Sequence, residues 1–174
     1  RDGWLYTGDL GYMDTDGFLY VLGRFKSLLI GHDGEKYSPE SIEEALMEQS
    51  PYIEQCMLHN NQNPYTVGLI YPNKTALKQE IESRGFDSST EEGKKEALSI
   101  LQEEINHYKS GGKNSGIFPE RWLPSTFAVL EEGFSEANQM VNSTMKIVRA
   151  KISEAHAEKV DFLYLPEGKN IDHE

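Results

Sequence analysis

A single cysteine, Cys56, in 174 residues leaves no partner for an intrachain disulfide and too few thiolates for a multi-cysteine metal site. The expected compartment is therefore a reducing one, the cytoplasm. No apolar run approaches the roughly 18–20 residues that a bilayer-spanning helix needs, and the start carries no signal-peptide pattern. No membrane span is expected, and peripheral attachment to a membrane is left open. Positive charge is also scarce: 17 Lys and Arg stand against 29 Asp and Glu, a formal net charge of -12. Such a field repels a phosphate backbone, so nucleic acid is not an expected partner. The five histidines, His32, His59, His107, His156 and His173, show no ligand spacing, and no metal site is expected from them.

What is present describes a soluble globular chain. Hydrophobic residues make up 37% and charged residues 26%, with 15 Gly and 7 Pro, enough to build a real core and too balanced for a disordered or fibrous chain. Residues 4–37 read as short strands in hairpins, with the apolar runs 18–22 and 28–30 set off by Asp14-Thr15-Asp16-Gly17 and Gly31-His32-Asp33-Gly34. Ser38-Pro39-Glu40 offers an N-cap, a proline at the first helical position and an early acid, which predicts a helix over 39–49 with Ile42, Ala45 and Leu46 on its apolar side. Residues 53–59 and 65–71 predict an antiparallel strand pair at the sheet centre, joined by a polar loop. Helices are expected over 73–83 and 92–108, the second with Ala97, Leu98, Leu101, Ile105 and Tyr108 as a core stripe. A strand at 127–130, a loop at 133–141 and a last helix presenting Val148, Ile152 and Ala155 complete the pattern. The class is α+β.

Two motif-like stretches lose on inspection. The Asp14 turn begins like a calcium loop, but the positions that need Gly and Glu hold Leu19 and Phe25. The glycine-rich stretch 110–116 suggests a phosphate loop, but Asn114 and His107 occupy the required Ser/Thr and first Gly positions. The acid pairs Glu43-Glu44, Glu91-Glu92 and Glu103-Glu104 read as solvated helix faces.

A stronger signal lies in several motifs met in order: Tyr6-Thr7-Gly8-Asp9-Leu10-Gly11, Asp16-Gly17-Phe18, Gly23-Arg24-Phe25-Lys26-Ser27-Leu28-Leu29-Ile30, then Gly34, Pro39, Ile42 and Glu43. Together they resemble the core motifs of the adenylate-forming acyl-CoA synthetase superfamily, and the stretch 142–149, Asn-Ser-Thr-Met-Lys-Ile-Val-Arg, resembles its last motif in the long-chain fatty acyl form. The resemblance implies that residues 1–24 end a large N-terminal adenylation domain, contributing a β-hairpin. It implies that 25–174 form a mobile C-terminal domain, a short antiparallel sheet flanked by helices. The abrupt start at Arg1, inside a motif, reads as a chain cut from something longer.

In that family a carboxylic acid attacks the α-phosphate of ATP, giving acyl-AMP and pyrophosphate, and a CoA thiol then displaces AMP. ATP with Mg2+ and CoA are thus implied as substrates, with a fatty acid as the third and the adenylation domain as partner. Asp9 is implied to accept hydrogen bonds from the ribose hydroxyls, with a turn-capping Asp as the alternative. Arg24 would place a permanent charge beside the nucleotide, against an ordinary surface pair. Lys146 would be catalytic, its ammonium meeting the carboxylate and α-phosphate oxygens, against an exposed Lys in the first turn of a helix. Lys26 falls at the hinge, against a strand-edge Lys. Gly34 would line the pantetheine path, and a turn with positive φ is its other role. The phosphate loop and acyl pocket of the family are not in this chain, so the fragment alone is expected to be inactive. Two rivals remain open: an acyl-AMP ligase that loads a carrier protein, and a non-catalytic partner-binding domain.

Overall fold

The computed structural model describes residues 3–170. Arg1, Asp2 and His173 lie outside the described residues. Strands β1 (Asp9–Met13) and β2 (Leu19–Arg24) pair antiparallel as the expected hairpin. Its turn is closed by Asp14, whose Oδ1 accepts the Asp16 and Phe18 amides at 3.0 and 2.9 Å. The Phe18 amide is the main reason that carboxyl is held below the usual carboxylate value.

After a short 3-10 turn, Phe25–Ser27, a second small sheet runs β4 (Lys36–Tyr37), β3 (Leu29–Gly31), β6 (Asn61–Asn63). The polar loop expected between the central strands thus supplies β6, parallel to β3. The main sheet is ordered β5 (Ile53–His59), β7 (Thr66–Pro72), β8 (Pro124–Val129). The β5–β7 pair is antiparallel as expected, with Cys56 opposite Ile70. Strand β8 runs parallel to β7, so the sheet is mixed rather than wholly antiparallel. The reason is the crossover: two helices lie between β7 and β8, and the chain returns to the same end of the sheet.

Both faces of that sheet are covered, and side chains alternate between them. Cys56, Leu58, Ile70 and Phe127 pack with helices α1 (Glu40–Gln49), α2 (Lys74–Ser83) and α3 (Glu91–Asn106). Met57, Val67, Leu69 and Ala128 pack with α4 (Arg149–Ala155) and α5 (Ala157–Leu163). The period of two along β5 and β7 is the strand pleat, and burial of both faces explains why β7 reads as a continuous apolar run. The α+β class holds. Burial pushes the Cys56 thiol well up, the state of a packed, inert cysteine.

Asn73 caps α2 through its side chain, which accepts the Ala76 amide at 3.1 Å, and Thr90 does the same for α3 at Gly93. Arg84 ties the two together through Glu80, Glu96 and Glu103. The expected stripe is core, with Leu98, Leu101 and Ile105 of α3 and Tyr108, two residues past its end, buried and Ala97 packed against them.

Three local expectations are corrected. Pro39 rather than Ser38 occupies the cap of α1, with helical torsions and no side-chain cap, because its carbonyl already accepts the Ile42 and Glu43 amides. The last helix is two, broken at His156, where the backbone leaves helical torsions. Val148 precedes the first, and Ala155 is exposed while Ile152 is buried.

Candidate functional site

Asp9 and Arg24 are partners in the hairpin register, at the mouth where the two strands meet. Their side chains are exposed and approach at 3.6 Å, Arg24 Nε to Asp9 Oδ1. The Asp9 amide is held by Thr7 Oγ1 at 3.1 Å, and the Phe25 amide by the Gly8 carbonyl at 3.0 Å. The Thr7-Gly8-Asp9 stretch is therefore bound to the end of β2 by backbone and side chain alike. Before Arg24, Gly23 has φ +126°, and a Cβ there would come within 3.0 Å of Ser38 Oγ. Only glycine serves both demands.

Lys26 follows in the 3-10 turn between β2 and β3, not at a strand edge, and its side chain is exposed. Short 3-10 segments with one or no continuing turn are common where chains change direction.

Gly34 sits in the turn after β3 at φ +84°, with open space around a notional Cβ. The torsion, not crowding, calls for glycine there. The turn is tied down by its neighbour: Glu35 accepts hydrogen bonds from Arg121 Nε and Nη2, each at 2.6 Å, and from Trp122 Nε1 at 3.0 Å, and the indole of Trp122 stacks on Tyr37 with centroids 5.1 Å apart. The Arg121 guanidinium, with Trp122 assisting, holds the Glu35 carboxyl down at about 2.

Lys146 lies on the loop between β8 and α4, not in the first turn of a helix; α4 begins three residues later. The cause is Asn142. Its Oδ1 accepts the Thr144 amide at 3.0 Å, the Thr144 hydroxyl at 2.8 Å and the Lys146 amide at 3.0 Å, a local alternative to helical bonding. The Asn142 amide in turn donates to the Lys146 carbonyl at 2.9 Å, and Met145 takes φ +61° at the tip. Among the described residues the exposed Lys146 ammonium has no hydrogen bond or ion pair.

Three residues on, Arg149 reaches inward. Its guanidinium pairs with Glu43 Oε2 and bonds the Leu58 carbonyl at 3.3 Å, while Glu43 Oε1 accepts the Leu58 amide at 2.6 Å. Glu43 is 3% exposed, so the reading of Glu43-Glu44 as a solvated face is wrong for Glu43. It lies on the inner side of α1 between Ile42 and Leu46, both buried; Glu44 is exposed, as are Glu91 and Glu92. Burial pushes the Glu43 carboxyl upward against the pull of Arg149.

The structure thus joins Asp9 with Arg24, sets Lys26 and Gly34 on the next two turns, and carries Lys146 on a separate loop pinned to α1. A cleft of about 640 Å³ opens between the hairpin and α1, walled by Val21, Gly23, Tyr37, Glu40, Glu44 and Trp122. Sequence reasoning missed Arg149 and the Glu35–Arg121–Trp122 cluster. The pairing of Glu43 with Arg149 spans 106 positions and of Glu35 with Arg121 spans 86, separations that no local pattern reports. The one available signal was that Glu43 and Arg149 each fall inside a motif.

The described residues thus form a hairpin carrying the Asp9–Arg24 pair, a turn, and a small α+β body with a braced lysine loop, and the family described as "AMP-binding enzyme C-terminal domain" matches residues 26–108. That match covers just under half of the chain. It is 30% identical over 182 residues to the long-chain-fatty-acid–CoA ligase ACSBG1 of Bos taurus, covering 94% of this chain and 24% of that protein. It is 29% identical over 168 residues to long-chain-fatty-acid–CoA ligase 1 of Homo sapiens, covering 94% of this chain and 23% of the other. The chain therefore spans about a quarter of the length of these curated relatives. Its fold is shared with the adenylation domain of a carboxylate reductase from Mycobacterium chelonae, at TM-score 0.74 and 22% identity, over 94% of this chain and 23% of that one.

Proposed function

We propose that this chain is the rotating small domain of an ATP-dependent ligase that joins medium or long fatty acids to CoA. The division falls at residues 1–24, the last hairpin of a large adenylation domain, and 25–174, the mobile domain. The kinship with long-chain-fatty-acid–CoA ligases over 94% of the chain supports the substrate class. The observation that carries the mechanism is the Lys146 ammonium, free of partners among the described residues on a loop whose backbone is held by Asn142.

In the first half-reaction a fatty carboxylate oxygen bonds to the α-phosphorus of ATP and pyrophosphate departs. Negative charge spreads over the carboxylate and α-phosphate oxygens, and Lys146 offers a compact cation with donors to meet it. Asp9 accepts hydrogen bonds from the ribose hydroxyls, and Arg24 supplies a fork of donors on the same nucleotide. In the second, the CoA sulfur bonds to the acyl carbon and AMP leaves. A turn about Lys26 moves the Lys146 loop away and brings the Gly34 turn to the thioester path. Mg2+ enters with ATP as part of that substrate. Among the described residues no three His, Cys, Asp or Glu side chains converge on a cation-sized site, and no step here is assigned to them. Among those residues there is also no helix long and apolar enough to cross a membrane, and a cytoplasmic placement is part of this proposal.

The test is stepwise. The 174-residue chain alone, given ATP and a fatty acid, should release no pyrophosphate above background. Joined to an adenylation domain it should release pyrophosphate with acid and ATP, and form acyl-CoA and AMP when CoA is added. Turnover with a carrier-protein thiol and none with CoA would reject the CoA ligase in favour of a carrier-loading enzyme.

A further inference from the structure

We infer that Glu43, acting through Arg149, is a positioning residue for Lys146: a buried bolt that holds the lysine loop in register with the body of the domain. The inference rests on the adenylation role proposed for Lys146.

The loop has two kinds of support. From within, Asn142 gathers the Thr144 and Lys146 amides, and this fixes the shape of the loop without saying where it stands. From outside, it is tied at both ends. Val148 donates to the Met140 carbonyl at 2.7 Å, and Val141 bridges Ile147. Next to that, Arg149 crosses to the Glu43 carboxylate and the Leu58 carbonyl. Glu43 is bonded at its other oxygen to the Leu58 amide. One carboxylate therefore joins α1, β5 and the start of α4, and Lys146 lies one turn upstream of the junction.

A buried ion pair is a poor device for stability, since desolvation of both charges offsets most of their attraction. It is a good device for geometry. A carboxylate with one oxygen on a backbone amide and the other on a guanidinium admits little rotation, whereas an apolar contact of equal area tolerates sliding. A catalytic cation needs that restriction, because displacement by about 1 Å can cost on the order of 100-fold in rate. The neighbouring Glu44, exposed on the same helix, has no such geometry, and its replacement serves as the control.

The experiment compares Glu43→Gln, Arg149→Met and the double variant in the ligase that joins this chain to its adenylation domain, alongside Lys146→Ala and Glu44→Gln. Three quantities are read: thermal midpoint, acyl-AMP formation from acid and ATP, and thioester formation from supplied acyl-AMP and CoA. Each single variant leaves one buried charge without its partner and should lower the midpoint; the double variant removes both charges and should restore most of it. Acyl-AMP formation should fall by roughly 10- to 100-fold in all three, with thioester formation within a few-fold of wild type, and it should stay low in the double variant although the fold is restored. Amide exchange at Lys146 and Val148 in the 174-residue chain should rise in the same variants and not in Glu44→Gln. A double variant that regains both stability and acyl-AMP formation would show that the pair acts only on folding, and would overturn the inference. So would unchanged exchange and unchanged adenylation in Glu43→Gln while Lys146→Ala blocks adenylation. If Lys146→Ala itself spares adenylation, the proposed function fails at its own residue and the catalytic meaning of the pair goes with it.

Discussion

The β1–β2 hairpin and the β5-β7-β8 sheet are written in the same kind of sequence, short apolar runs between polar turns, yet they meet opposite fates. In the sheet, Val67, Leu69 and Ile70 are fully buried, with helices on both faces. In and around the hairpin, Trp4, Leu5, Tyr6, Tyr12, Met13, Leu19, Tyr20 and Val21 are all exposed, Leu5 at 86%. Successive residues of a strand point to opposite sides, so both faces of the hairpin are bare. An apolar strand is thus a statement about local propensity, and burial is decided by what else arrives. Among the described residues, the end of the hairpin is approached by Ser38 at Gly23, and those exposed side chains stay uncovered. A contiguous apolar patch of this kind marks an interaction surface, which fits the proposed boundary at residue 24 with the adenylation domain as its cover.

The sharpest way to break the contrast is to truncate one large apolar side chain in each region. Phe127→Ala in β8, a fully buried ring, should cost about 3–5 kcal/mol and show as a large drop in the urea midpoint of the 174-residue chain. Leu19→Ala in the hairpin should stay within about 0.5 kcal/mol in the same measurement. Similar losses at both sites would mean that the hairpin is part of the chain's own core.

The contrast sharpens at the junction. If the two regions move as units about the 3-10 turn, Lys26→Pro in the joined enzyme, which fixes φ near −65°, should separate the half-reactions. Acyl-AMP formation persists if the adenylation pose is trapped, while CoA transfer falls at least about tenfold, the equivalent of about 1.4 kcal/mol. Two half-reactions that stay within a few-fold of wild type would show that the chain does not pivot there.

The smallest effect is electrostatic and belongs to the body alone. Burial holds the His59 imidazole below its ordinary value of 6.5. Below that pH the unfolded chain takes up a proton more readily than the folded one, so His59 contributes stability above 6.5 that is lost as pH falls through and below it. His59→Gln should make the decline of the urea midpoint between pH 7.5 and 5.5 shallower. The hairpin variant Leu19→Ala should leave that slope unchanged, and an identical slope in His59→Gln would remove the imidazole from the account.

Most of the body was legible because its signals are local. The apolar stripe of α3, the helical side of α1 carrying Ile42 and Leu46, and the β5–β7 pair all follow from spacing within one element. What was illegible depends on distant partners. Strand β8 runs parallel only because α2 and α3 intervene, and β6 exists only because β3 lies beside it. Glu43 was misread for the same reason: on a helix with acids on both sides, nothing local distinguishes the one that meets Arg149. For the candidate site, motif resemblance singled out Asp9, Arg24, Lys26, Gly34 and Lys146, and the structure adds which are joined. Asp9 and Arg24 form a pair, whereas Lys146 stands apart on a loop shaped by Asn142 rather than in the first turn of a helix.

The central claim is that the body presents Lys146 for adenylation and withdraws it for thioester formation, and Lys146→Ala in the joined enzyme tests it most directly. Acyl-AMP formation from fatty acid and ATP should fall by about 10² to 10³, the usual cost of one preorganised electrostatic contact, while thioester formation from supplied acyl-AMP and CoA stays within a few-fold of wild type. Equal losses in the two half-reactions, or none in the first, would contradict it.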